Sequence, residues 1–211
     1  MTMRIKLFAI CVTLILAAAV YTAKRSEGKV DVAGNGERGI VVTLSEPDRS
    51  VLAVGDELRK AHRYDEAIAS YNDLLKRDDI DRAVKAEAKY NIGLSYTWLG
   101  DYDRAEKVFQ KMLGKYSDNM NAVGYAQYCL AYIEVQKGKY NEAIARLRRS
   151  LDSKTITDRE LAARTQFMIG STYLLFLHDN NRAKNAFALV LAQYPDAVIA
   201  NHPYLDHLKN R

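Results

Sequence analysis

Cysteine is scarce in this chain, and its placement excludes a disulfide-based fold. The 211 residues include two cysteines. Cys11 lies in an apolar N-terminal run, whereas Cys129 lies in a region with helical periodicity, so they are not expected to pair in the mature protein. Cys129 is expected to be a small residue of the core. Stability must therefore come from packing.

Residue patterns that carry chemistry are also missing. The four histidines include no pair at i and i+4, and neither an HExxH nor a CxxC sequence occurs. No serine or cysteine stands in the sequence context of a known nucleophile. The sequence therefore predicts that the protein is not an enzyme, and it predicts no metal and no cofactor.

Basic charge is not concentrated in the body of the chain. Four of the 31 basic residues flank the apolar N-terminal run, namely Arg4, Lys6, Lys24 and Arg25. From residue 26 onward, 31 − 4 = 27 basic residues face 26 acidic ones. A nucleic-acid surface needs basic charge gathered on one face, so no nucleic-acid partner is expected. The cluster Arg146, Arg148 and Arg149 is interpreted as a solvated helix face.

Residues 7–23 form an uncharged apolar run between basic flanks. At a rise of 1.5 Å per residue this run is about 26 Å long, near the minimum for crossing a bilayer. Residues 1–25 therefore form either a signal anchor or a cleaved signal peptide, and the basic pair after the run favours the anchor. The short basic N-terminus places the following domain outside the cytoplasm. Glycines and charges mark residues 26–47 as a linker.

Four copies of one pattern follow the linker. Gly93, Gly100, Tyr102, Ala105 and Phe109 of the second copy have counterparts 38 residues before and after them. Two amphipathic helices in each period predict an all-α fold, an alpha-solenoid of about four helix pairs. The predicted helices cover about 48–62, 64–76, 82–99, 102–115, 120–137, 140–152, 157–177 and 181–194, with a short helix after Pro203.

The second copy resembles a tetratricopeptide repeat. The 38-residue spacing and the N-terminal membrane signal resemble the bacterial envelope members of that family. The second copy from Gly93 to Phe109 reads GLSYTWLGDYDRAEKVF, and GKYNEAI and RYDEAI occur in the third and first copies. The resemblance implies a right-handed solenoid over residues 48–196, with repeats at 48–80, 82–117, 120–154 and 157–196, and a tail or short capping helix at 197–211. Leu58 and Glu134 depart from the pattern, since tyrosine is common at their positions.

The resemblance also implies a concave groove lined by the first helix of each pair. Helical spacing places seven apolar or aromatic candidates for binding there: Tyr90, Leu94, Trp98, Tyr125, Tyr128, Tyr132 and Phe167. Exposed aromatic residues clustered on one face are typical of binding sites. Groove positions that hold lysine and asparagine in carboxylate-clamp domains hold apolar or aromatic residues here, so an apolar peptide ligand is expected.

The sequence thus predicts a membrane-anchored binding module or scaffold. Its repeats lie outside the cytoplasm, which means the periplasm in a bacterium. Two alternatives remain open: a structural protein of an envelope complex that associates with itself, and a secreted or periplasmic soluble adaptor after signal cleavage. Some of the groove residues could instead pack in the core.

Overall fold

Paired α-helices make up the part of the chain that the structure describes. The structure is a computed structural model, and it describes residues 46–202 and residue 205. Within those residues there are α-helices and one 3-10 helix and no strands. They are α1 (Glu46–Lys60), α2 (Tyr64–Leu75), α3 (Arg82–Trp98), α4 (Tyr102–Lys115), α5 (Met120–Gln136), α6 (Tyr140–Asp152), α7 (Arg159–Leu175), α8 (Asn180–Gln193) and the 3-10 helix Val198–Asn201.

The N-terminal segment and most of the tail are outside this description. The predicted anchor or signal segment at 1–25, the linker up to residue 45 and nearly all residues after 202 lie outside the described residues. Among the helices within 46–202, none is both long enough and apolar enough to cross a membrane. The predicted membrane segment at 7–23 therefore stays a prediction.

The helices fall into two compact units, and the division lies inside α7. One unit covers the described residues up to Thr165 and the other covers the described residues from Gln166 onward. From α1 to α6 each helix packs against the next one along the chain, and α3 also contacts α1 and α5, the first helices of the neighbouring pairs. This stack of helix pairs confirms the predicted all-helical solenoid class. In the second unit Phe167 and Phe187 pack with ring centroids 5.2 Å apart.

The observed helix boundaries agree with the predicted ones to within two residues. The turns inside the pairs explain this agreement, since a left-handed residue ends each first helix. Gly100 and Gly138 both have φ of 77°, a conformation that glycine adopts at low cost. His62 and His178 occupy the corresponding turns with φ of 59° and 53°. The side chains of Asp101 and Asp179 then cap the second helices of their pairs.

A small residue and a large one interlock inside each pair. A Cβ on Gly93 would lie 2.5 Å from Cζ of Phe109, so only glycine fits against this ring. Gly55 faces Tyr71 and Gly170 faces Phe187 in the same close manner. In the third pair the corresponding residues are Ala131 and Leu147, both fully buried. Where alanine replaces glycine on the first helix, leucine therefore replaces the aromatic ring on the second.

Leu58 and Glu134, which stand where tyrosine is common in the repeat, have different structural explanations. In the second and fourth pairs a tyrosine ring lies under an arginine: Arg104 is 4.6 Å from the Tyr96 centroid and Arg182 is 5.1 Å from that of Tyr173. In the third pair Glu134 replaces the tyrosine and accepts hydrogen bonds from Arg146 at 2.6–3.0 Å. The interpretation of Arg146 as part of a solvated face is therefore wrong, because its side chain is only 26% exposed. In the first pair Leu58 packs against the apolar core.

Candidate functional site: an aromatic face on the first helices

Two aromatic residues fix the register between α3 and α5. The rings of Tyr90 and Tyr125 meet edge to face with centroids 5.5 Å apart. Because successive first helices of a solenoid run in the same direction, one turn further along brings Leu94 level with Tyr128. A second turn brings Trp98 level with Tyr132. Six of the seven predicted residues therefore lie on one side of this helix pair.

These six residues differ in how much of their surface is available. Tyr90 and Tyr125 are buried, with 6% and 4% of their surfaces exposed. Leu94, Tyr128 and Tyr132 are partly exposed, and Trp98 is 37% exposed. We call these last four residues the aromatic face. Tyr90 and Tyr125 lie one turn before it along the two helices and form a packed pair that we call the floor. Their burial places these two residues in the core rather than on the exposed surface of the groove.

Phe167 is placed differently from the other candidates. It belongs to the unit whose described residues begin at Gln166 and is buried there. Its ring packs 5.2 Å from Phe187 and 5.0 Å from His202, measured between centroids. Phe167 is therefore a core residue of that unit in the described structure.

Polar groups hold the first helices together near the floor. The Asp56 carboxylate accepts hydrogen bonds from the Tyr71 hydroxyl at 2.5 Å and from the Asn91 side-chain amide at 3.1 Å. Asp56 therefore links α1, α2 and α3. The sequence gave no role to Asn91, because a polar residue inside an apolar helix has no distinctive spacing.

A second polar group lies at the start of α7. The Tyr125 hydroxyl donates to Asp158 at 3.3 Å, and Asp158 also caps α7 by accepting from the Leu161 amide at 2.8 Å. One turn into the helix, Arg164 pairs with Glu160 at 2.9 Å, and 23% and 11% of these side chains are exposed. A capping aspartate before an apolar helix is a recognisable sequence feature, but its contact with Tyr125 depends on the packing of two repeats.

The tyrosines of this region have raised pKa values. Burial raises the pKa of Tyr128 to about 12, and the nearby Arg164 guanidinium partly opposes this increase. The pKa of Tyr132 is raised as well, first by burial and then by the neighbouring Tyr102 and Tyr128. At physiological pH the face is therefore neutral and presents hydroxyl groups at the edges of apolar rings. Such a surface suits an apolar ligand with a few hydrogen-bonding groups.

This pKa shift predicts a loss of stability at high pH. A tyrosine whose pKa is higher in the folded state contributes stability below its unfolded pKa near 10, and this contribution is lost as the pH rises through the folded value. The free energy of unfolding should therefore fall between about pH 10 and 12, and less steeply in Tyr128→Phe. Urea unfolding at a series of pH values measures this slope. An unchanged slope in the variant would show that the pKa of Tyr128 is not raised in the folded state.

The described residues contain no cluster that suits a metal ion. Within residues 46–202 and 205, no group of three or more histidine, cysteine, aspartate or glutamate side chains converges. Cys129 is buried, as expected for a small core residue.

Comparison with known proteins assigns the repeats. Two family models described as tetratricopeptide repeat match residues 52–119 and 164–197. The chain belongs to the tetratricopeptide repeat family. The stretch between the two matches holds the third pair, where Ala131, Glu134 and Leu147 depart from the pattern. The fold is that of a protein–protein interaction scaffold, and tetratricopeptide repeat proteins are typically non-enzymatic.

Solved structures share the fold at low sequence identity. The TPR-like repeats of a protein of Podosopora anserina, provisionally assigned as a kinesin light chain, match with a TM-score of 0.55 and 14% identity, covering 77% of this chain and 82% of that one. The MamA RS-1 ArsTM double mutant matches with a TM-score of 0.53 and 18% identity, covering 79% and 85% of the two chains. A comparison with curated proteins gives no match. These structural likenesses support the fold alone.

Proposed function

We propose that this tetratricopeptide repeat protein is a membrane-anchored, non-enzymatic scaffold that binds a peptide or protein segment on its aromatic face. The observation that carries the proposal is the partial exposure of Leu94, Trp98, Tyr128 and Tyr132 on adjacent first helices. Tyrosine and tryptophan bury a large area at low entropic cost, which makes them frequent anchors of interfaces. The neighbouring Tyr90 and Tyr125 rings pack against each other, which helps to hold the face in place before a ligand arrives.

The chemistry of the face favours an apolar segment. Its tyrosines are neutral, and the charged groups beside the floor are already paired: Asp56 with Tyr71 and Asn91, and Arg164 with Glu160. A ligand with apolar side chains would therefore gain contact area without breaking these pairs. The apolar run at 7–23 would hold the domain at a membrane, on its extracytoplasmic side, where it would meet partners of the envelope.

Affinity capture tests this proposal with the full-length protein from gently solubilised membranes. We expect the wild type to retain a distinct partner that Trp98→Ala with Tyr128→Ala loses by at least about tenfold. Val54→Ala with Met120→Ala is the matched control, since both side chains are exposed apolar groups outside the aromatic face. Circular dichroism and sedimentation should show unchanged helicity and mass in both double variants.

Trp98 also provides a direct readout, because it is the only tryptophan of the chain. Titration with the purified partner should shift its fluorescence emission to shorter wavelength as the ring becomes buried, and Tyr128→Ala should weaken that titration. Recovery of only the protein itself from every capture would contradict the proposal. Self-association would then be favoured if the mass falls in the Trp98 and Tyr128 double variant.

A further inference from the structure

Three lysines meet on a different side of the second repeat. Gly93 of α3 lies against Phe109 of α4, and the two helices are antiparallel. One turn before Gly93, Lys89 is therefore level with the stretch between Lys111 and Lys115 of α4. Lys89 is about 100° around the α3 axis from Tyr90, so the cluster does not belong to the aromatic face.

The cluster carries positive charge that the protein does not balance. Among the described residues, neither Lys89, Lys111 nor Lys115 forms an ion pair with a carboxylate. The Lys89 side chain is partly buried, while the other two lysines are exposed. Burial, followed by repulsion from Lys111 and Lys115, lowers the pKa of Lys89 from its usual range. The free protein therefore holds three cations together at a cost in stability.

The fold does not require these lysines. The corresponding positions of the first repeat are Val51, Asp73 and Arg77, and those of the third are Gln127, Arg149 and Ser153. Since the other repeats form the same helix pair without three lysines, the cluster is a property of the second repeat alone. An unbalanced charge that the scaffold does not need is typical of a functional site.

Carboxylates border the cluster at both ends, and this favours a narrow ligand over a flat one. At one end Asp118 pairs with Arg82 at 2.8 Å, and exposed aspartates occupy the turn before α3. At the other end Asp103 and Glu106 both pair with Lys137, at 2.7 and 2.6 Å. A planar anionic membrane would have to cover these ion pairs and the exposed aspartates together with the lysines. A single acidic chain along the seam would meet the lysines alone.

We propose that Lys89, Lys111 and Lys115 form an anion-binding site that receives an extended acidic segment of a protein partner. Lys111 and Lys115 are one helical turn apart, a rise of about 6 Å. Alternate residues of an extended chain are about 6.6 Å apart, so carboxylates at every second position match this spacing. Lys89 lies between them and completes a three-point contact. The site is independent of the aromatic face and would bind a second segment of a partner or a second partner.

A labelled peptide of alternating glutamate and serine tests the site with the full-length protein in neutral detergent. Fluorescence anisotropy at about 50 mM salt should show binding that weakens at about 200 mM, as expected for charge pairing. Lys89→Gln with Lys111→Gln and Lys115→Gln should weaken binding by about tenfold or more. A variant with arginine at the same three positions should retain peptide binding. A peptide of alternating glutamine and serine should not bind.

A second triple variant controls for net charge. Lys60→Gln with Lys76→Gln and Lys139→Gln removes the same charge from exposed positions elsewhere, and it should change the affinity by less than about twofold. Equal weakening by the two triple variants, or absence of peptide binding to the wild type, would overturn the proposal. Vesicles rich in phosphatidylglycerol serve as a third binding assay. If the protein binds these vesicles and does not bind the peptide, the lysines bind lipid and the proposal is overturned.

The stability of the first triple variant separates loss of a site from loss of the fold. Because Lys89 is destabilised in the free protein by burial and by its two neighbours, removal of the three charges should leave the melting temperature unchanged or higher. A lower melting temperature together with lost peptide binding would show that the lysines support the fold, and this would contradict their assignment as a binding site.

Discussion

Replacing Gly93 with alanine is expected to lower the free energy of unfolding by about 1–3 kcal/mol, the usual cost of overpacking a core. The new Cβ would lie 2.5–3.0 Å from three carbons of the Phe109 ring, and this ring is fully buried. Alanine is favoured over glycine inside a helix by about 1 kcal/mol. A net loss would therefore show that the contact with the ring outweighs the gain in helix propensity. Urea unfolding followed by circular dichroism measures the difference.

Gly114→Ala is the matched control for this substitution. Gly114 also lies in a helix, but a Cβ there would have no atom within 4 Å. This variant should be more stable than the wild type by about 0.5–1 kcal/mol. Equal stabilisation by Gly93→Ala and Gly114→Ala would contradict the close contact between Gly93 and Phe109.

A compensating substitution should restore part of the lost stability. The third pair combines Ala131 with Leu147 at the positions of Gly93 and Phe109. Phe109→Leu should therefore be less costly in the Gly93→Ala background than in the wild type, and the two effects should be less than additive. Strict additivity would mean that the two positions do not share one packing space.

Arg146→Met is expected to destabilise the third pair by about 1–3 kcal/mol, because it leaves the Glu134 carboxylate without its main partner. The Glu134 side chain is 16% exposed, and Arg146 also donates to Gln127 at 2.8 Å. Arg148→Met is the control on the same helix, since Arg148 is exposed, and it should change stability by less than about 0.5 kcal/mol.

Removing both partners should be less harmful than removing one. Glu134→Leu with Arg146→Met leaves no unpaired charge, so the double variant should be more stable than either Glu134→Leu or Arg146→Met alone. Calorimetric or urea unfolding of the four proteins gives the coupling energy. A double variant as unstable as the sum of the single variants would show that the pair does not act as a unit.

The repeat pattern predicted the fold because its residues act within one helix pair. Gly100 ends a helix and Tyr102 begins the next, and both effects are local in sequence. The role of Arg146 could not be predicted in this way. Three nearby arginines look alike in sequence, but only the packing of α5 against α6 shows that one of them faces Glu134.

The candidate site could be predicted only in outline. Helical spacing placed Tyr90 and Tyr125 on one side of the first helices, and the two rings are in contact across α3 and α5; that this side binds a ligand stays a prediction. It could not separate the exposed Trp98 from the buried Tyr90, because burial depends on how far each first helix is covered by its neighbour. The lysine cluster was not identified from the sequence, since Lys89 and Lys111 come together only through the antiparallel packing of α3 and α4.

The interlocked residues also bear on how such a chain can evolve. Each small residue lies 16 or 17 residues before its own partner, so Gly93 and Phe109 or Ala131 and Leu147 are inherited together when a whole repeat is duplicated. A recombination event with its breakpoint between the two members would join alanine to phenylalanine, or glycine to leucine. The first product would be overpacked and the second would contain a cavity. Crossovers in the turns between helix pairs preserve both matched sets, so they are the exchanges that selection would retain.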